Sequence, residues 1–98
     1  LEYILYIESQ GHNAVIFTQS PGKKGGPPKE YKVYSTLARF EQQLSERGFL
    51  RIQKSYLVNM RRLKQYRCNE ALLDNGITLP VSEKTYSENK KKFLLWRG

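Results

Sequence analysis

Ninety-eight residues, 39% of them apolar and 27% charged, make one globular domain with a modest core. Seventeen Lys and Arg against nine Asp and Glu give a formal charge of +8 and a pI near 9.7, which favours an anionic partner, nucleic acid before an anionic membrane or an acidic protein. One histidine and one cysteine, His12 and Cys68, are too few for the usual zinc ligand sets, no cofactor motif is present, and no apolar run approaches the roughly 18 residues of a membrane span.

Residues 3–8 read as a strand, with Tyr3, Leu5 and Ile7 on one face and Ile4 and Tyr6 on the other. The chain thus begins in hydrophobic alternation with no charged leader, as a domain cut from a longer protein would. Turn residues follow at 10–13, and residues 14–18 form a second strand rich in β-branched and aromatic side chains. The Gly- and Pro-rich stretch at 21–29 can hold neither ladder nor helix. A strand resumes at 31–34, so the two strands predict a hairpin with a long basic loop.

Ser35 or Thr36 can cap a helix over 36–47, with Leu37, Phe40, Glu41 and Leu44 spaced by three and four and Gly48 as its stop. Residues 49–59 then read as strand material carrying Arg51, Lys54 and Ser55 on an apolar backing. Further strands are expected at 63–67, 70–74 and 77–79, the last two joined by the hairpin signal Asp74-Asn75-Gly76, with Pro80 ending a strand or marking an edge. Ser82, or the capping box from Thr85 to Glu88, can start a final helix with Tyr86, Phe93 and Leu94 as its apolar positions. The expected class is mainly β with two short helices.

The chemistry is mostly that of charge. The acidic residues are scattered, and an enzymatic reading rests on Cys68 and His12 alone, with no third group to orient them; Cys68 reads better as a half-buried structural thiol. A lone cysteine cannot close an internal disulfide, which suits a reducing, cytoplasmic setting. Three basic clusters remain: Lys23, Lys24 and Lys29 on the long loop; Lys90, Lys91 and Lys92 in the last helix; and Arg51, Lys54, Arg61, Arg62 and Lys64 around Tyr56, Leu57 and Val58. The third is dense and tied to ordered structure, and two cations and a hydroxyl on a rigid backing suit phosphate oxygens.

The order of these blocks resembles a LytTR-type (LytR/AlgR-like) DNA-binding domain. The residues that carry the resemblance are Ile4 to Glu8, Ser35 and Leu37 opening a helix with Leu44, the block at 49–59 with Phe49, Arg51, Ile52, Lys54, Ser55 and Asn59, and the Pro80-Val81-Ser82 that follows the last hairpin. It implies elongated antiparallel β-sheets, with one domain over 1–98 that lacks the family's first strand and forms a C-terminal part of a bacterial two-component response regulator behind a receiver domain. It also implies sequence-specific binding of double-stranded DNA for transcription regulation. In the family, loops rather than a recognition helix enter successive major grooves and touch the minor groove between them, commonly as two protomers on paired repeats.

By position, the resemblance places His12 and Asn13 in a base-contacting loop, and both side chains can bond to base edges. Lys54 and Ser55 fall at the key positions of a second contact, supported by Arg51. Lys54 stands where many relatives carry arginine, so it keeps the charge without the bidentate fork. The third contact is expected after Ser82, where Glu83 replaces the common arginine and Lys84 follows. Lys23 and Lys24 are expected to add phosphate contacts from the long loop. Asn59 reads as structural, its amide bonding backbone. The rival reading is an RNA, single-strand or protein-interaction module that stacks partners on Tyr3, Tyr6, Tyr31, Tyr34 and Tyr56.

Overall fold

A computed structural model describes residues 1–23 and 25–98. Eight strands and two helices follow the order β1 Ile4–Gln10, β2 Asn13–Thr18, β3 Lys29–Val33, α1 Leu37–Leu44, β4 Phe49–Gln53, β5 Tyr56–Asn59, β6 Leu63–Tyr66, β7 Glu70–Leu73, β8 Thr78–Pro80 and α2 Tyr86–Arg97. They form an antiparallel five-stranded sheet of order β3-β2-β1-β5-β4 and an antiparallel three-stranded sheet of order β6-β7-β8. The mainly β class with two helices is what the sequence predicts. Residues 49–59, however, form two strands and a tight turn rather than one decorated strand, since Gln53 pairs back onto Tyr56.

Except along its edge strand β3, whose residues are all exposed, the five-stranded sheet is covered on both faces. On one, α1 lays Leu37, Phe40 and Leu44 over Ile7, Ala14, Phe49 and Leu57. The other faces the small sheet and α2, with Tyr6, Val15, Phe17, Ile52 and Val58 packed against Tyr66, Leu73, Leu79 and Phe93. A bulge in β1 decides which side chain goes where. Ile4 pairs with Thr18 and Tyr6 with Phe17, so Leu5 is the extra residue. The expected alternation is therefore broken: Ile7 shares a face with Ile4, and Leu5 joins Tyr6. Tyr6 stacks on its cross-strand partner Phe17 with centroids 4.5 Å apart.

Thr36 caps α1 by accepting from the Arg39 N–H at 3.2 Å. A 3-10 turn, Ser45–Arg47, continues the helix, and Gly48 ends it in the left-handed conformation at φ 89°. Thr85 caps α2, but the expected capping box does not form; its hydroxyl accepts from Asn89 Nδ2 instead, at 3.4 Å. Asn89 and Phe93 are the buried residues of α2, one turn apart, whereas Leu94 lies outside that stripe and is half exposed, against expectation. Cys68 is another correction. It lies in the β6–β7 turn and is exposed, because the ladder closes with the Arg67 N–H bonding the Glu70 carbonyl before the chain reaches it.

Candidate nucleic-acid interface

Antiparallel pairing determines which loops share an end of the large sheet. Gln10 pairs with Asn13 across the two-residue turn Gly11-His12, and Glu8 pairs with Tyr56, so the β1–β2 turn and the β4–β5 turn emerge side by side. The Ser9 N–H bonds the Ser55 carbonyl at 2.9 Å and ties the two together. His12 and Lys54 are exposed, while Asn13 and Ser55 are half-buried beside them. Neighbouring strands lie about 4.8 Å apart, and the two turns are centred two strand spacings from each other, or about 10 Å.

A third segment reaches this end through β4. Ile52 is the bulged residue between the pairs Arg51–Leu57 and Gln53–Tyr56, and its carbonyl accepts from the Ser82 N–H at 2.8 Å. That bond anchors the chain ahead of Glu83 and Lys84, both exposed, two residues from Lys54 along β4. The residue Ala14 pairs with Val33, so the β3–α1 connection also emerges here. Tyr34, Thr36 and Arg39 line one concavity with His12 and Arg51. Sequence reasoning missed Arg39, for nothing in its position signals that the α1 N-terminus meets the His12 turn.

The turn at 53–56 is built from its own side chains. Gln53 Oε1 accepts from the Ser55 N–H at 2.7 Å. Arg51 directs one fork nitrogen to Glu41 Oε1 of α1 at 2.9 Å and the other to the Lys54 carbonyl at 2.5 Å. Its Nε is buried with no partner among the described residues.

The basic cluster expected around 51–64 is not one surface. Arg51 and Lys54 stand at one end of β5, while Arg61 and Arg62 follow its other end. Arg62 is 2% exposed and entirely committed to the interior. Arg61 stacks over Trp96, 6.0 Å from the ring. The long β2–β3 loop belongs to that opposite end as well, so Lys23 stands about a strand's length from His12; Lys24 lies outside the described residues. In α2, Lys90 is half-buried and donates to the Tyr66 carbonyl at 2.6 Å.

Asn59 is fully buried. Its Nδ2 donates to the carbonyls of Leu1 and Ile4 at 3.1 and 2.8 Å, and its Oδ1 accepts from the Arg61 N–H. The structural role read from the sequence is therefore what the geometry gives. Of the tyrosines suggested as stacking platforms, Tyr6 is buried and Tyr56 half-buried, while Tyr3, Tyr31 and Tyr34 are exposed. Among the described residues no group of three metal-ligating side chains converges, and no helix is long and apolar enough to cross a membrane.

Comparison with known proteins gives the arrangement a family. A solved structure described as the LytTr DNA-binding domain of a methyl-accepting/DNA response regulator from Bacillus cereus superposes with a TM-score of 0.74 at 22% identity, covering 94% of this chain and 81% of that one. No curated protein sequence matches. The profile of the LytTr DNA-binding domain matches residues 1–94. This basic two-sheet chain belongs to the LytTr DNA-binding domain family, whose work is DNA binding in transcription regulation rather than catalysis.

Proposed function

We propose that the chain recognises specific double-stranded DNA with the loop end of its five-stranded sheet, as the output domain of a two-component response regulator. The observation that carries this reading is the convergence of the β1–β2 turn, the β4–β5 turn and the segment after Ser82 at one end. His12 and Asn13 there carry base-reading chemistry, and Lys54, Ser55 and Lys84 carry phosphate-binding chemistry. The turns stand about 10 Å apart, closer to the ~12 Å width of a major groove than to a full ~34 Å helical repeat. The two turns therefore address one groove and the phosphate strand bordering it, and Lys84 extends the footprint beyond β4. Both helices lie along sheet faces, which leaves the loops as the parts that enter grooves. The proposed surface leaves out Lys23 and assigns Arg51 a supporting place.

Two protomers on paired repeats would double this footprint. Selection of bound sites from a random duplex pool, followed by anisotropy titration at several salt concentrations, tests the proposal. Enrichment of a defined motif and a steep, linear fall of log K with log salt are the expected results. Equal affinity for every duplex would remove sequence specificity, and no duplex binding at low salt would remove the proposal.

One observation favours a second reading. Tyr3 and Tyr31, both about half exposed, line a concavity with Lys23 and Lys29 at the far end of the sheet, a combination that suits a stacked base beside a phosphate. Competition of single-stranded against duplex oligonucleotide separates the readings, since the loop-end surface predicts that duplex wins.

A further inference from the structure

We infer that Arg51 is a positioning residue that holds the Lys54-Ser55 turn in its DNA-reading shape through Glu41, and is not itself a DNA contact. The inference rests on the loop-end reading above. Arg51 sits on β4 facing α1, where its guanidinium bridges two segments with no other side-chain hydrogen bond between them: NH1 bonds Glu41 Oε1 and NH2 bonds the Lys54 carbonyl. The β4–β5 turn is thereby tied to the helix packed on the sheet. A third segment is fastened to the same residue, because Asn89 Nδ2 of α2 donates to the Arg51 carbonyl at 2.9 Å, next to the Ser82–Ile52 bond that anchors the Glu83-Lys84 segment.

The directions of the donors decide against a phosphate role. Each fork nitrogen already has an acceptor within the protein and Nε is buried, so three of the five N–H groups are committed or shielded and both terminal nitrogens are held in place by protein oxygens. Only 28% of the side chain is exposed. Glu41 explains itself in the same way. A carboxylate beside a DNA-binding end repels phosphate, yet it occupies the inner stripe of α1, one turn after Leu37. Its use there is to fix the guanidinium, which fixes the turn. Lysine at position 51 would keep the charge but could not hold two acceptors in a planar fork.

Duplex titrations over several salt concentrations, on the full chain and its Arg51→Lys, Arg51→Gln and Glu41→Ala variants, test this. If Arg51 positions the turn, Arg51→Lys weakens specific binding about tenfold, the size of one charge-assisted hydrogen bond, with an unchanged salt slope. Glu41→Ala weakens it too, although it removes a negative charge. If Arg51 grips phosphate, all signs reverse: Arg51→Lys retains binding, Arg51→Gln lowers the slope by about one, and Glu41→Ala tightens binding. That pattern would overturn the inference while leaving the loop-end reading intact; no duplex binding by the unaltered chain would overturn both. A DNA-free readout guards against misfolded variants. In Glu41→Ala, whose site is a partly exposed helix position, amide NMR signals of Lys54 and Ser55 should shift while those of β6 and β7 in the small sheet stay. Unmoved turn signals would also overturn it.

Discussion

Arg62 and Asp74 meet edge to edge at the seam between the two sheets, Nε to Oδ2 at 2.8 Å and NH2 to Oδ1 at 3.0 Å. The remaining fork nitrogen donates to the carbonyls of Glu2 and Gln19 at 3.0 and 2.7 Å, so one side chain fastens the chain before β1, the end of β2 and the β7–β8 turn. Removing it orphans a carboxylate and two carbonyls. Arg62→Ala is expected to cost about 3–5 kcal/mol in chemical denaturation. Salt-dependent DNA binding of the remaining folded protein should keep its slope, which distinguishes this arginine from a phosphate contact.

Asn59 makes a sharper test of donor direction. Asn59→Ala removes the amide donor to the Leu1 and Ile4 carbonyls and the acceptor of the Arg61 N–H, and should cost about 3 kcal/mol. Asn59→Asp has nearly the same shape but aims a negative oxygen at both carbonyls. It should therefore be worse than alanine at neutral pH; an aspartate variant as stable as the alanine variant would contradict the amide assignment.

Gly48 stands at φ 89°, and a Cβ there would come within 3.1 Å of Trp96 Nε1. Gly48→Ala combines left-handed strain with displacement of the indole, for a loss of about 1–2 kcal/mol. The variant should also red-shift tryptophan fluorescence, because the ring can no longer lie against the α1 stop.

Burial pushes the Tyr6 hydroxyl up to about 12, with Glu8, Tyr56 and Glu30 adding smaller repulsions. The folded state holds this proton more tightly than the unfolded chain, whose tyrosine titrates near 10. The stability from the neutral phenol is therefore complete below pH ~10 and lost as pH rises towards ~12. About 2–3 kcal/mol is at stake. Other groups titrate in that window, so the quantity to measure is the difference between the unaltered chain and Tyr6→Phe, whose alkaline loss should be shallower.

On DNA, Lys54→Ala should weaken binding to all sequences and lower the salt slope by about one. His12→Ala should instead relax discrimination at particular base pairs, by roughly 1–3 kcal/mol where a bidentate-like contact is lost. Lys23→Ala, at the far end of the sheet, should leave slope and specificity unchanged. Anisotropy titrations on the selected site and on single-base variants check all three.

The order of elements was legible in the chain because it depends on local rules. Alternation marks the strands, Thr36 and Gly48 bound α1, and Asp74-Asn75-Gly76 turns β7 into β8 with the Asn75 side chain accepting from the Ile77 N–H. Charge and motif order likewise sufficed for a DNA-binding family. What the sequence could not assign was the use of each cation. Arg51, Arg61 and Arg62 read alike along the chain, but their roles depend on partners far away in sequence: Glu41 for Arg51, Trp96 for Arg61, Asp74 with two carbonyls for Arg62. Bulges at Leu5 and Ile52 are equally silent in a period-two pattern, yet each resets which face or bond the following residues reach. Composition fixes how much charge the protein carries; only tertiary pairing, which satisfies some guanidinium donors internally and leaves Lys54 in solvent, decides how much of it can face DNA.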